Sequence, residues 1–222
     1  IERIDAAYLF KNPGKWPMNF GGNTFRIVTI ANSVAAGAPA YAVRAFEFHD
    51  HDCPGVTSGI LMASFAKRYF AESGSGSYFV QGLQPWCKED ALLVMLNATP
   101  GKSGYGVTYP GDGTGAWPEL YRNAHNIIYH HNENTNLWEG VVLQFVWGDT
   151  SHCNVYKDAK GVDKGGISKL CMDLWYLNHM NAPENFVKPL YKFTLKEGDH
   201  PRNYARVGLD IMQNLPLGEE TR

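Results

Sequence analysis

A domain that mixes helices with a β-sheet is what this sequence predicts, and three observations carry the prediction. Apolar residues recur at helical spacing within residues 25–36, 56–70 and 167–177, and run unbroken over 91–96. Short segments rich in β-branched and aromatic residues, at 78–80, 127–129, 137–147 and 190–195, have strand character. Hydrophobic residues make up 44% of the 222 and aromatic ones 13%, enough to bury a sizeable core in one domain with loop insertions.

Taken in order, residues 1–23 carry Pro13-Gly14, Trp16-Pro17 and Gly21-Gly22, too many breakers for a long helix. They read as an irregular arm suited to drape over a partner subunit. The main domain, 24–215, opens on a helix capped by Asn23, lined by Phe25, Ile27, Val28 and Ile30, and ended by Gly37 and Pro39. Residues 41–46 read as a further helical segment. Pro54 suits a first helical position, and Leu61, Phe65 and Tyr69 then fall four apart with Lys67 and Arg68 turned outward. Residues 74–77 alternate Gly and Ser before the strand at 78–80. Pro85-Trp86-Cys87 precede Lys88-Glu89-Asp90, an acidic first turn of the kind helix N-termini favour. Turns follow at 99–106 and 111–115, and 117–121 fits no pattern. The strand at 127–131 would turn His130 and His131 to opposite faces. Residues 137–147 should be central to the sheet, and 148–166 form a polar, glycine-bearing loop. Cys171 falls on the apolar side of the 167–177 helix, as a core residue would. A strand at 190–195, a closing helix at 203–215 and a polar tail at 216–222 complete the chain.

The chemistry concentrates in Phe48-His49-Asp50-His51-Asp52-Cys53-Pro54-Gly55. On an extended backbone His49, His51 and Cys53 share one face; if residues 41–46 are helical, 49–53 become a bend, which also gathers neighbours two apart. Cys53 and Cys87 both stand at helix starts, where free N–H groups and the helix dipole stabilise anions, so the Cys53 thiol is expected to ionise readily. Imidazole with thiolate selects zinc above all, with iron, nickel or copper as alternatives, and ligands from two helix starts can converge on one ion. The expected metal set is therefore His49, His51, Cys53 and Cys87, with Asp50 or Asp52 orienting an imidazole through its second nitrogen. Cys53 is also a candidate catalytic group, as is Lys102, placed to hold an anionic small-molecule substrate above the ion. His152-Cys153 is a further metal-type pair. The competing structural reading makes the histidines surface groups paired with aspartates and Cys53 a small core residue.

At this point the pattern meets a known one. His51-Asp52-Cys53-Pro54-Gly55, preceded by Phe48 and followed by Gly59, resembles the Gly-His-x-Cys-Pro-Gly signature of the FmdE family, proteins similar to one component of formylmethanofuran dehydrogenase. Cys87, Asp90 and Ala91, then Thr99-Pro100-Gly101-Lys102, are similar to that family's Cys-x-x-Asp-Ala helix and Thr-x-Gly-Lys turn, and the likeness covers residues 41–110. The resemblance implies an α+β core with an antiparallel or mixed sheet packed against helices, an intertwined homodimer, a Cys/His metal cluster near the dimer interface, and a link to the one-carbon metabolism of methanogens. Asp50 stands where the signature has glycine. The four-cysteine zinc finger of many members is absent, since the second half holds just Cys153 and Cys171.

A net charge of −2 with no Lys/Arg block excludes nucleic acid and anionic membranes as expected partners, and no apolar run approaches the ~20 residues of a membrane span. Gly101-Lys102-Ser103 lacks the first glycine of a phosphate loop. A start at Ile1 reflects either a removed N-terminal segment, such as a secretion signal, or a truncated sequence; the first, with an Asn-, Tyr- and Trp-rich composition, points outside the cell, and the family label to the cytoplasm. Four cysteines allow two disulfides in three pairings. Two rival readings follow: a secreted cell-surface binding or structural module with bridged cysteines, and a metal-free thiol enzyme with Cys53 as nucleophile and His49 or His51 as base.

Overall fold

A computed structural model describes residues 1–110, 113–163 and 165–214. Four helices precede the first strand. α1 (Ala6–Lys11) starts where the Asp5 carboxylate accepts the Tyr8 N–H, and it lies within the segment expected to be an irregular arm. Its Leu9 is fully buried against Val28 and Leu170, and the Asn32 side chain bonds both the Ala6 N–H and the Ile4 carbonyl at 2.7 Å. These contacts dock the first residues onto their own chain.

α2 (Thr24–Ala35) ends before Gly37, whose φ of +88° a helix cannot contain, as the sequence predicts. α3 (Ala40–His49) runs longer than the segment read at 41–46, so residues 50–53 form a bend and the extended alternative falls away. α4 (Pro54–Tyr69) begins at the expected proline and is buried on nearly every side. β1 (Tyr78–Leu83), α5 (Lys88–Met95) and β2 (Tyr105–Thr108) then make a parallel strand–helix–strand crossover. The antiparallel strands β3 (Asn126–Asn132) and β4 (Leu137–Phe145) follow, then α6 (Ile167–Leu177), β5 (Val187–Thr194) and the single turn α7 (Ile211–Asn214).

The sheet order is β2-β1-β3-β4-β5, a mixed sheet in an α+β fold, as expected. β3 takes the middle, and the 137–147 segment becomes the interior strand beside it. Period-two alternation divides the core. Val80, Ile128, Val141 and Leu143 face α4 and α5 through Leu61, Met62, Ala66 and Leu92. Phe79, Ile127, Tyr129, Val142 and Phe193 face the other way, under Trp117, Tyr121, Ile211 and Met212.

The expected helix over 203–215 is mostly absent. Pro201–Tyr204 is a single 3₁₀ turn and Gly208 has φ +80°, which breaks helical continuity before α7. Leu215 and the tail at 216–222 lie outside the described residues. Cys171 is not a plain core cysteine: it is bonded to Cys153, tying the 3₁₀ segment Ser151–Tyr156 to α6. Of the cysteines, Cys53 and Cys87 are free. Among the described residues no helix is long and apolar enough to cross a membrane.

Candidate metal centre

Three backbone events assemble the site. The first is the end of α3. Asp50 adopts φ +80°, a left-handed cap conformation that glycine takes at least cost and that Asp tolerates better than most residues. This is the position where the FmdE signature carries glycine, and here the Asp50 carboxylate turns outward to Arg26 at 2.9 Å. The second is the extended Cys53 (φ −156°, ψ 161°), which caps α4. With four residues between the end of one helix and the start of the next, the Cys53 sulfur comes 3.8 Å from His49 Nε2.

The third is the approach of α5, whose capping residue is Cys87. A Cβ on Gly55 would stand 2.8 Å from Cys87 Cβ, and one on Gly59 would stand 2.1 Å from the Lys88 carbonyl oxygen. Glycine one helical turn apart on α4 is therefore what lets the start of α5 settle against it.

His49, Cys53 and Cys87 then offer one nitrogen and two sulfurs, all within 4.8 Å of one another, a group that could hold a metal ion. Around a tetrahedral zinc such donors stand about 3.5–3.8 Å apart, and the 3.8 Å between Cys53 Sγ and His49 Nε2 agrees with that. The fit extends outward: His49 Nδ1 meets the Asp90 carboxylate at 2.7 Å, which fixes Nδ1 as the protonated nitrogen and leaves the Nε2 lone pair for an ion.

His51 is not part of this compact group. Its ring lies beside that of His49, centroids 4.6 Å apart, and edge-on to Phe25, and burial holds its pKa below the ordinary value. Neither aspartate of the central stretch orients an imidazole. Asp50 pairs with Arg26, and Asp52 is fully buried on the far side, accepting from Ser33 Oγ at 2.6 Å and Thr57 Oγ1 at 3.2 Å. That role falls to Asp90, one helical turn beyond Cys87, a spacing that places both on one side of α5. The expected ready ionisation of Cys53 is also overturned for the free thiol: burial pushes its pKa far up, outweighing the nearby backbone N–H groups.

Lys102 stands elsewhere, in a cavity lined also by Tyr78, Trp138, His200 and Arg202. The cleft that does reach Cys53 and Cys87, about 510 Å³, is walled by Trp86, Trp147 and Met172 and carries Lys157 and Lys169. No local pattern in the sequence connects these residues to the site. Lys88 and Glu89, expected as part of an acidic first turn, are both buried and paired with each other, and the Glu89 carboxylate accepts further from Asn126 at 3.0 and 3.1 Å. Burial lowers the pKa of Lys88 and raises that of Glu89.

His152, Cys153 and Cys171 also bring donor atoms within 4.8 Å, but the two sulfurs are bonded to each other and so are not available as thiolates. His125 accepts the Phe145 N–H through Nδ1, and His130 is buried against Phe70 and Tyr78, both structural placements.

No curated protein matches the chain. Residues 48–142 match a family described as FmdE, Molybdenum formylmethanofuran dehydrogenase operon. The matched span runs from the end of α3 into β4, so it holds His49, Cys53, Cys87, Asp90 and both packing glycines, and leaves out α6 with Lys169. From Phe48 to Val142 the chain is therefore similar to the FmdE family, in agreement with the resemblance carried by its signature residues.

Proposed function

We propose that this protein is a metal-binding FmdE-type protein in which His49, Cys53 and Cys87 hold a zinc ion and a fourth position is left for water or a small molecule. The observation that carries the reading is the three-donor cluster with its imidazole held from behind by Asp90. A zinc ion there would supply Lewis acidity toward a carbonyl or bound water. The protein's own part is to hold the Nε2 lone pair of His49 toward the thiols, to lodge Cys87 against Gly55, and to wall the approach with Trp86 and Trp147. Iron or nickel would suit the same donors, and His51, next to His49, is close enough in sequence and space to enter as a further ligand after a ring rotation.

Similarity of the core to an operon-named family supports an accessory or catalytic role in one-carbon metabolism, and the homodimer belongs to the same proposal. The rival readings have less support. A module with fully bridged cysteines does not agree with free thiols at 53 and 87, and a metal-free nucleophile at Cys53 does not agree with a thiol whose burial disfavours the thiolate. Lys102 as an anion holder is not supported, because it lines a different cavity.

Elemental analysis of untagged protein tests the proposal. About one ion per chain is expected in the wild type, with most of it lost in Cys53→Ser and in Cys87→Ser, since serine does not replace a thiolate at neutral pH. Equal metal content in all three proteins rejects it.

A further inference from the structure

The cleft over Cys53 and Cys87 has a chemistry of its own. Trp86 and Trp147 remain 42% and 44% exposed, with ring centroids 5.8 Å apart, and Met172 continues their apolar wall. Exposed indoles side by side in a concave site offer flat faces for stacking a ring.

Beside that wall the cleft is cationic. Lys157 and Lys169 line it with one carboxylate, Asp163, and that carboxylate is already engaged: its oxygens accept the Ser168 and Lys169 N–H groups at 3.0 and 2.9 Å, closing the N-terminus of α6. Ser168 supplies an independent pointer. It lines the same cleft, is 1% exposed, and its hydroxyl has no hydrogen-bond partner among the described residues. A buried hydroxyl without a partner is costly, and an acceptor entering the cleft would remove the cost. The Cys153–Cys171 bond holds the segment leading to Lys157 against the helix that carries Ser168, Lys169 and Met172, so the cationic side is tied in place.

We propose that this cleft binds a small aromatic or heteroaromatic carboxylate, its ring against Trp86 and Trp147 and its carboxylate among Lys157, Lys169 and the Ser168 hydroxyl. The assignment rests on the metal reading in one respect, that it takes the cleft as the approach to the ion. The volume of about 510 Å³ suits one or two fused rings with a short polar arm. An aliphatic carboxylate would keep the charge contact and lose the stacking; a neutral aromatic amide would do the reverse.

The test uses the full chain loaded with zinc and 2-naphthoate as probe, followed by calorimetry, with zinc content measured in every sample. Saturable binding is expected, about tenfold weaker for 2-naphthamide, for cyclohexanecarboxylate, for Trp147→Ala and for Lys157→Ala/Lys169→Ala. The lysine variant changes side chains outside the core and keeps the test valid if Trp147→Ala fails to fold. Absence of binding, or equal affinity for naphthoate and naphthamide, or a lysine variant that binds as the wild type does, overturns the proposal. If zinc is retained in such samples, the metal reading survives alone. Protein that takes up no zinc but binds naphthoate with the expected dependence on Trp147 and the lysines keeps the cleft assignment and rejects the metal reading.

Discussion

Asp90 shows how one side chain behind a candidate ligand can set what that ligand offers. Its carboxylate accepts from His49 Nδ1 at 2.7 Å, and the rotation and tautomer of that ring decide whether Nε2 can face the two sulfurs. Asp90→Asn puts an amide where an anionic acceptor stood. Zinc affinity is expected to fall by about 10–100-fold, with thermal stability of the metal-free protein little changed. Competition with a chelator measures it, and unchanged affinity would remove Asp90 from the site. Much at this scale is legible in the sequence. Cys53 and Cys87 read as helix caps and are found there, and the bend at 49–53 is among the alternatives. The partner of His49 is not legible, because the aspartates nearest to it in sequence are more obvious than one arriving from another helix. Ser168 and Met172 carry no signal at all: nothing about an isolated serine shows that folding will leave its hydroxyl alone.

At the scale of elements, the junction of α4 and α5 is the critical one. Its tolerance is set by the absence of side chain at Gly55 and Gly59. Gly59→Ala would put a Cβ 2.1 Å from a backbone oxygen, so the start of α5 must shift, at a cost of about 1–3 kcal/mol and with loss of bound metal through displacement of Cys87. Denaturant unfolding and metal analysis on one preparation check both, and a variant as stable and as well loaded as wild type would show the junction to be loose. The sequence presents glycine here as a signature residue but not the reason for it, since the Lys88 oxygen it avoids belongs to a different helix.

A second inter-element feature is buried Asp173 on α6, both of whose carboxylate oxygens lack partners among the described residues. Burial, and then the nearby Asp52, raise its pKa well above the ordinary value. The unfolded carboxyl loses its proton near pH ~4 while the folded one keeps it, so this group's contribution to stability is full below that pH and declines as pH rises toward the folded pKa. Asp173→Asn should therefore flatten the decline and gain about 1 kcal/mol or more over wild type by pH 8, read by urea unfolding at pH 5 and 8 with chelator present. A wild type that loses no more stability than the variant would contradict this.

For the whole molecule, α2 to α5 with β1 follow their sequence signals, as do β3, β4 and α6, whereas β2 begins inside a segment read as a turn. The assembly of the cleft does not, because it joins Trp86 before α5 to Trp147 after β4 and to Lys157 and Lys169 beyond, a meeting that local periodicity cannot express. The 203–215 segment departs from its pattern for a local reason, the positive φ of Gly208.

One further consequence follows from the two sulfur pairs. Cys153 and Cys171 are joined, while Cys53 and Cys87 stay reduced although their sulfurs lie within 4.8 Å. An environment oxidising enough to keep the first pair bonded also threatens to join the second, and a coordinated ion, by occupying both lone pairs, would act as their guard. Chelator-stripped protein left in air should then lose two hydrogens by mass spectrometry and refuse zinc afterwards, whereas protein aged with its ion in place should do neither.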